Sequence, residues 1–253
     1  MEFSSTDYLN EHQRFDYQIL PKVEYTGTTL VGMECVGGIV VATDSRTSSG
    51  TYISNRATDK ITMLNDRIVI LRAGSQADTQ ALADIVMYYA EAHAIMDEED
   101  EITVRNVANY ARKMHYNYRG QLNSTFLVAG YDSINKGQLY VIPSGGYTTR
   151  HPYYTSGSGS SYIREYLQNQ WKEDMEGEVV RKILKKAVFE AQRRDGASGG
   201  LIHTAIINAK GISRKSYRPD KEDFPTISTE KFYPNLPEHI LQPSLVTIER
   251  MET

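Results

Sequence analysis

The dipeptide Gly27-Thr28 lies in Glu24-Tyr25-Thr26-Gly27-Thr28-Thr29-Leu30, where a polar leader gives way to strand-like segments. A cut between these two residues would leave Thr28 with a free α-amine beside its own hydroxyl, so that one residue carries both nucleophile and base. An α-amine titrates at about 7.7 to 8.0, close enough to neutrality to accept the hydroxyl proton, whereas a lysine at about 10.4 stays largely charged. Gly27 leaves the approach to the carbonyl open and permits strained backbone angles. Gly-Thr is a common dipeptide, and its meaning depends on what surrounds it.

The elements that would hold such a site follow in order. Thr29 to Met33 and Gly38 to Asp44 are β-branched runs joined by a Gly-containing turn, predicting a hairpin buried on both faces, with Asp44 at its end. A polar Ser/Thr-rich loop from Ser45 to Asn55 leads to Asp59-Lys60-Ile61 and a second hairpin that turns at Asn65-Asp66 and closes on Arg72-Ala73-Gly74-Ser75. Leu82, Ile85, Val86 and Tyr89 share one helical face, and Val104, Val107, Ala108, Ala111 and Met114 share another. Between them, Asp97 to Glu101 reads as a solvated acidic loop at a helix N-terminus.

Thr125 to Tyr131 and Gln138 to Ile142 flank a turn at Asn135-Lys136-Gly137. The Gly/Ser run Thr155 to Ser161 is expected to be a loop opening a third helix that reaches about Trp171. Val179 to Ala191 carries the spacing of a fourth helix, stopped at Asp195-Gly196, and Leu201 to Ala209 is the last clear core strand. Strands, two helices, strands, two helices and a strand fit an α/β fold, a four-layer αββα sandwich of two antiparallel sheets between helical layers. Five of the eight prolines follow Tyr217, so residues 218–253 read as an extended arm.

A chain of 253 residues, 40% hydrophobic and 24% charged, can bury one sizeable core without staples. Its net charge of -4 and pI near 5.9 give no footprint for nucleic acid. The single cysteine, Cys35, excludes an internal disulfide and reads as a buried small hydrophobe, and the six histidines lack metal-site spacing, so no metal is expected. The acidic leader has no signal-peptide core, and no apolar run approaches the roughly 20 residues of a membrane span. A soluble, intracellular protein is expected, with no membrane partner.

Six motifs in register resemble the β-type subunits of the proteasome, which are N-terminal-nucleophile threonine proteases. They are Thr26-Gly27-Thr28-Thr29, Ala42-Thr43-Asp44-Ser45-Arg46, Thr58-Asp59-Lys60-Ile61, Ala73-Gly74-Ser75, Gly157-Ser158-Gly159-Ser160 and Arg194-Asp195-Gly196-Ala197-Ser198-Gly199-Gly200. The resemblance covers roughly Thr26 to Tyr217 and implies the N-terminal nucleophile hydrolase fold, with 1–27 a self-cleaved propeptide and 28–217 the catalytic domain. It makes Thr28 the nucleophile, with Lys60 beside its hydroxyl and Asp44 holding that lysine charged. Gly74 becomes the backbone donor to the oxyanion, and Ser158, Asp195 and Ser198 surround the threonine amine and its proton-carrying water. Without the resemblance, Asp44 and Lys60 would read as a surface ion pair.

Within the family, Arg72 resembles the pocket residue of the caspase-like β1 type, where a guanidinium selects carboxylates. Ser48 stands where threonine is usual, in a loop expected to pair with the substrate backbone. The long arm is instead similar to one that the trypsin-like subunit wraps around a neighbour. The family implies no cofactor. Its partners are the other alpha and beta subunits of a stacked heptameric-ring core particle, its substrates unfolded polypeptides, and its compartments the cytoplasm and nucleus. Two rival readings are a non-catalytic ring subunit that keeps its leader and a stand-alone amidohydrolase.

Overall fold

The computed structural model describes residues 27–96, 102–222 and 224. Expectations for the leader before Gly27, for the acidic run Asp97 to Glu101 and for most of the arm lie outside these residues.

The first hairpin forms as its β-branched runs predict. Strands β1 (Leu30–Cys35) and β2 (Gly38–Asp44) pair antiparallel about a turn in which Gly37 takes φ 71°. β2 is buried along its whole length because both of its faces are covered. It lies at the centre of a five-stranded sheet ordered β10-β1-β2-β11-β12, with β10 at Tyr153–Ser156, β11 at Ile202–Asn208 and β12 at Gly211–Tyr217. A second sheet runs β5-β6-β7-β8-β9, from Ile61–Asn65, Ile68–Gly74, Ser124–Asp132, Lys136–Ile142 and Thr149–Arg150. Every pairing within both sheets is antiparallel.

Alternation along the strands builds the layers. Val69, Leu71 and Ala73 of β6 face Leu30, Ile39, Val41 and Ala205 in a core between the sheets. The intervening Ile68 and Ile70 pack under helices α1 (Gln76–Met96) and α2 (Val104–Asn117), against Leu82, Val86, Val107 and Ala111. On the far side, α4 (Gly177–Arg194) lays Val180, Leu184, Ala187, Val188 and Ala191 over β2 and β11. The result is the expected αββα sandwich. The same alternation sends Arg72, next in step after Ile68 and Ile70, to the α1 side of its sheet.

Four segments differ from the sequence reading. The Ser/Thr-rich stretch after Asp44 contains a small two-stranded hairpin, β3 (Thr47–Ser49) with β4 (Tyr52–Asn55), because main-chain pairing needs no apolar side chains. Thr155 and Ser156 belong to β10, paired with Val31 and Leu30, so the third helical segment begins later, as a 3₁₀ turn at Ser158–Tyr162 followed by α3 (Arg164–Gln170). The sheet continues past Ala209 through β12, a charged and largely exposed edge strand. Cys35 is half-buried, and burial together with Glu34 pushes its thiol up to about 11, which makes it a poor nucleophile.

One buried histidine ties α2 to β7. His115 Nδ1 donates to the Ala111 carbonyl at 2.8 Å, which leaves Nε2 to accept from the Ser124 hydroxyl at 2.9 Å. Burial lowers its pKa below the ordinary imidazole value, against the opposing pull of the Ala111 carbonyl. The unfolded chain therefore takes up a proton at about pH 6.5 that the folded chain refuses, and stability falls as pH drops from there towards the folded value. The urea midpoint of the purified chain should decrease between pH 7.5 and 5.5. His115→Gln, which keeps an acceptor for Ser124 and cannot titrate, should show a flatter dependence. An unchanged slope in that variant would assign the acid sensitivity elsewhere.

Candidate active site

The end of β2 and the start of β5 converge on the first described residues. Lys60 Nζ lies 2.8 Å from Asp44 Oδ1, 3.0 Å from Thr28 Oγ1 and 3.0 Å from the Gly27 carbonyl oxygen. All three side chains are buried, with Asp44 fully enclosed and Lys60 5% exposed. The surface ion-pair reading of Asp44 and Lys60 is therefore incorrect. Burial pushes the Lys60 pKa below the ordinary lysine range, and the Asp44 carboxylate opposes that shift. Asp44 is itself fixed by main-chain donors: Thr29 N–H to Oδ1 at 2.9 Å, and Gly199 and Arg46 N–H to Oδ2 at 3.1 and 3.2 Å. Three main-chain donors thus fix the Asp44 carboxylate in place beside the Lys60 nitrogen.

Thr28 Oγ1 donates to the Gly27 carbonyl at 2.7 Å, which sets the hydroxyl against the bond that the sequence marks for cleavage. The Thr28 N–H donates to Ser158 Oγ at 3.1 Å, and Ser158 in turn donates to Asp195 Oδ2 at 2.7 Å. Ser198 Oγ donates to the same oxygen at 2.6 Å and lies 2.8 Å from the Thr29 hydroxyl. Ser158 thus touches the Thr28 nitrogen directly, while Asp195 and Ser198 stand one step behind it. Two glycines permit this closeness. A Cβ on Gly27 would overlap Ala197, and one on Gly157, which has φ 88°, would overlap the Thr28 carbonyl.

Gly74 ends β6 with φ 119°, and a Cβ there would collide with the Asn123 carbonyl. It borders two cavities that meet at Thr28. The first is small, about 20 Å³, and is lined by Thr47, Thr58, Arg72 and Thr79 as well as Lys60. Arg72 is 8% exposed, and its guanidinium donates to Gln80 Oε1 at 2.6 Å and to the Asp59 main-chain carbonyl at 2.8 Å. Its Nε is buried without a hydrogen-bond partner among the described residues. Asp59 gives its carboxylate to Arg214, at 2.7 Å, so neither described hydrogen-bond partner of Arg72 carries a charge. Burial lowers its pKa, with Asp59 and Asp84 pulling the other way from further off. Ser48 reaches Gly27 through its hydroxyl, which accepts from the Gly27 N–H at 3.4 Å.

All nine residues singled out from the sequence thus gather at one end of the sheets, linked by contacts or by cavity walls to Thr28. Sequence reasoning missed Thr29, Gly199, Ala197, Gln80 and Asn123. The Thr28-Thr29 doublet and the Ala197-Ser198-Gly199 run held a signal for the first three, whereas Gln80 and Asn123 sit in no motif. Among the described residues, no group of three or more His, Cys, Asp or Glu could hold a metal ion, and no helix is long and apolar enough to cross a membrane.

Comparison with known proteins gives the family. A model of the proteasome subunit family matches residues 24–207. Proteasome subunit beta type-6 of Arabidopsis thaliana is 42% identical over 195 residues, covering 77% of this chain and 83% of that protein. Proteasome subunit beta type-1 of Saccharomyces cerevisiae is 37% identical over 195 residues, covering 77% and 90%. Proteasome subunit beta type-9 of Homo sapiens is 39% identical over 191 residues, covering 76% and 86%. The relatives span three beta types, and the chain belongs to the proteasome subunit family as one of its beta-type members.

Proposed function

We propose that this chain is a threonine endopeptidase subunit of the proteasome core particle, made as a precursor and cleaving after acidic residues. The observation that carries the reading is the buried Lys60 ammonium, 3.0 Å from both the Thr28 hydroxyl and the Gly27 carbonyl oxygen and 2.8 Å from Asp44. A charge so placed lowers the cost of forming the alkoxide and polarises the carbonyl it would attack.

In the precursor, Thr28 Oγ1 adds to the Gly27 carbonyl carbon, the Gly27–Thr28 C–N bond breaks, and the acyl group passes to oxygen while the nitrogen gains a proton. Water then hydrolyses the ester, releasing residues 1–27 with a terminal carboxylate on Gly27. In the mature chain, the α-amine accepts the hydroxyl proton as Oγ1 attacks a substrate carbonyl, and the Gly74 N–H donates to the developing oxyanion. The amine returns its proton to the leaving nitrogen, and water hydrolyses the acyl ester. Ser158, Asp195 and Ser198 hold the amine and its proton path, Ser48 steadies the strand entering the site, and Arg72 reads the side chain before the cut.

Residues 28–217 act as the catalytic domain. Assembly is with other alpha and beta subunits in stacked heptameric rings acting on unfolded polypeptides, in cytoplasm and nucleus. The test is the N-terminal residue of the assembled protein. Thr28 at the mature N-terminus is expected; an intact leader in active particles would leave a non-catalytic ring subunit, and activity from a free monomer or dimer would favour a stand-alone amidohydrolase.

Lys60→Ala should reduce peptide turnover on the order of 10²-fold or more, the loss associated with one preorganised electrostatic donor, while the chain still enters particles. The comparison is kcat on assembled particles of equal subunit content. Turnover near that of the unaltered protein would return Lys60 and Asp44 to a structural role.

A further inference from the structure

Thr29 has no part in the mechanism above, yet its atoms touch both halves of the site. Its main chain is pinned to Asp44. The Thr29 N–H donates at 2.9 Å to Asp44 Oδ1, the oxygen that also holds the Lys60 nitrogen, and the Thr29 carbonyl accepts from the Asp44 N–H at 3.2 Å. Its side chain turns to the other half. Thr29 Oγ1 lies 2.8 Å from Ser198 Oγ, and a Cβ on Gly159 would overlap it, so that only glycine leaves room for this hydroxyl. Thr29 is fully buried and lines neither cavity at Thr28, so it does not meet a substrate.

The sense of the hydrogen bonds follows from counting protons. Asp195 Oδ2 accepts from both Ser158 Oγ and Ser198 Oγ, at 2.7 and 2.6 Å. A serine hydroxyl has a single proton, so Ser198 gives its own to Asp195 and must accept from Thr29. Ser158 likewise accepts from the Thr28 N–H at 3.1 Å. Two donor chains thus meet on one carboxylate oxygen, one from the Thr28 nitrogen through Ser158 and one from the Thr29 hydroxyl through Ser198. The peptide between Thr28 and Thr29 closes them into a ring. Within such a chain each donor polarises the next. Ser198 is fully buried, so loss of the Thr29 donor would leave its oxygen with no water in exchange, and the Asp195 to Ser198 turn would shift to relieve it.

We propose that Thr29 is a positioning residue for the Thr28 amine: its buried hydroxyl, donating to Ser198, fixes the Asp195 carboxylate that orients the nitrogen through Ser158, while its main chain holds the same segment to Asp44 beside Lys60. The inference rests on the peptidase reading above.

The experiment measures kcat and KM for a fluorogenic Glu peptide on assembled particles whose other active subunits are silenced. Every chain is supplied without residues 1 to 27, so that leader removal does not enter. Thr29→Val, which keeps the branched shape and lacks the hydroxyl, should lower kcat about 10-fold, the equivalent of one lost buried hydrogen bond, with KM changed by less than about 2-fold. Thr29→Ser, which keeps the hydroxyl and lacks the methyl, should hold kcat within about 2-fold. In a Ser198→Ala background, where the donor chain is already broken, adding Thr29→Val should change kcat by less than about 2-fold. Full activity in Thr29→Val, or a Thr29→Ser chain no better than it, would overturn the inference. So would a loss that multiplies in full with that of Ser198→Ala, since Thr29 would then act through packing and not through Ser198. Exclusion of Thr29→Val from particles that admit Thr29→Ser would assign the hydroxyl to folding and overturn it as well. Failure of the unaltered protein to hydrolyse the peptide would instead overturn the peptidase reading, and this inference with it.

Discussion

Replacing Thr28 by Ala should yield a chain that enters particles with residues 1 to 27 still attached and hydrolyses no peptide. One oxygen is asked to do both tasks. Thr28 Oγ1 is 2.7 Å from the Gly27 carbonyl oxygen and 3.0 Å from Lys60, and no other described hydroxyl makes either contact. Its removal leaves the Lys60 ammonium and the Gly74 turn in place with nothing to attack. Loss of a covalent nucleophile in a hydrolase costs on the order of 10⁶-fold in kcat. Thr28→Ser, which keeps the hydroxyl, should still shed its leader.

The measurement is intact mass together with peptide hydrolysis, on particles whose other active subunits are silenced so that no neighbour trims the leader. The Thr28→Ala chain supplied without residues 1 to 27 separates the two roles: it should assemble and remain inactive. If Thr28→Ala particles lose residues 1 to 27 unaided, the self-cleavage mechanism fails.

The parts of this molecule that were readable in sequence are those whose cause is local. β2 is a β-branched run closed by Asp44, and α4 repeats its apolar residues at helical spacing from Val180 to Ala191, so both stand within a residue or two of expectation. β10 and β12 were not readable, because Tyr153–Ser156 and Gly211–Tyr217 become strands through partners: Leu30 to Met33 in one case, β11 in the other. The site divides the same way. The chemistry of a freed Thr28 amine is visible in two adjacent residues. Asp44 and Lys60 are 16 residues apart and meet only because β2 and the segment entering β5 end at the same place, so a resemblance was needed to join them. Asn123 and Gln80 lie further beyond reach, since their value is a carbonyl packed against Gly74 in one case and a contact with Arg72 in the other.

Arg72→Ala should cut the rate of cleavage after Glu by roughly 10² to 10⁴-fold in kcat/KM, while cleavage after Leu holds or rises. The guanidinium is buried, its described hydrogen-bond acceptors are an amide and a main-chain carbonyl, and its Nε has no partner among the described residues. A carboxylate brought by the substrate would supply the missing counter-charge through paired charge-assisted hydrogen bonds, whereas an apolar side chain would leave the charge uncompensated. The cavity of about 20 Å³ holds little more than a water, so entry of a Glu side chain requires Gln80 to give way. Gln80 can do so, being solvent-exposed and also bonded through Nε2 to Asp84 at 2.7 Å. Losing one partner of a buried charge pair costs about 3 to 5 kcal/mol, which sets the range of the expected effect. Gln80→Ala, which frees the guanidinium without removing it, should keep the acidic preference. Both fluorogenic peptides are to be measured on particles with the other active subunits silenced. A parallel drop in the two rates would mean that Arg72 supports the wall of the site through Asp59 and Gln80, and the acidic preference would have to come from another residue.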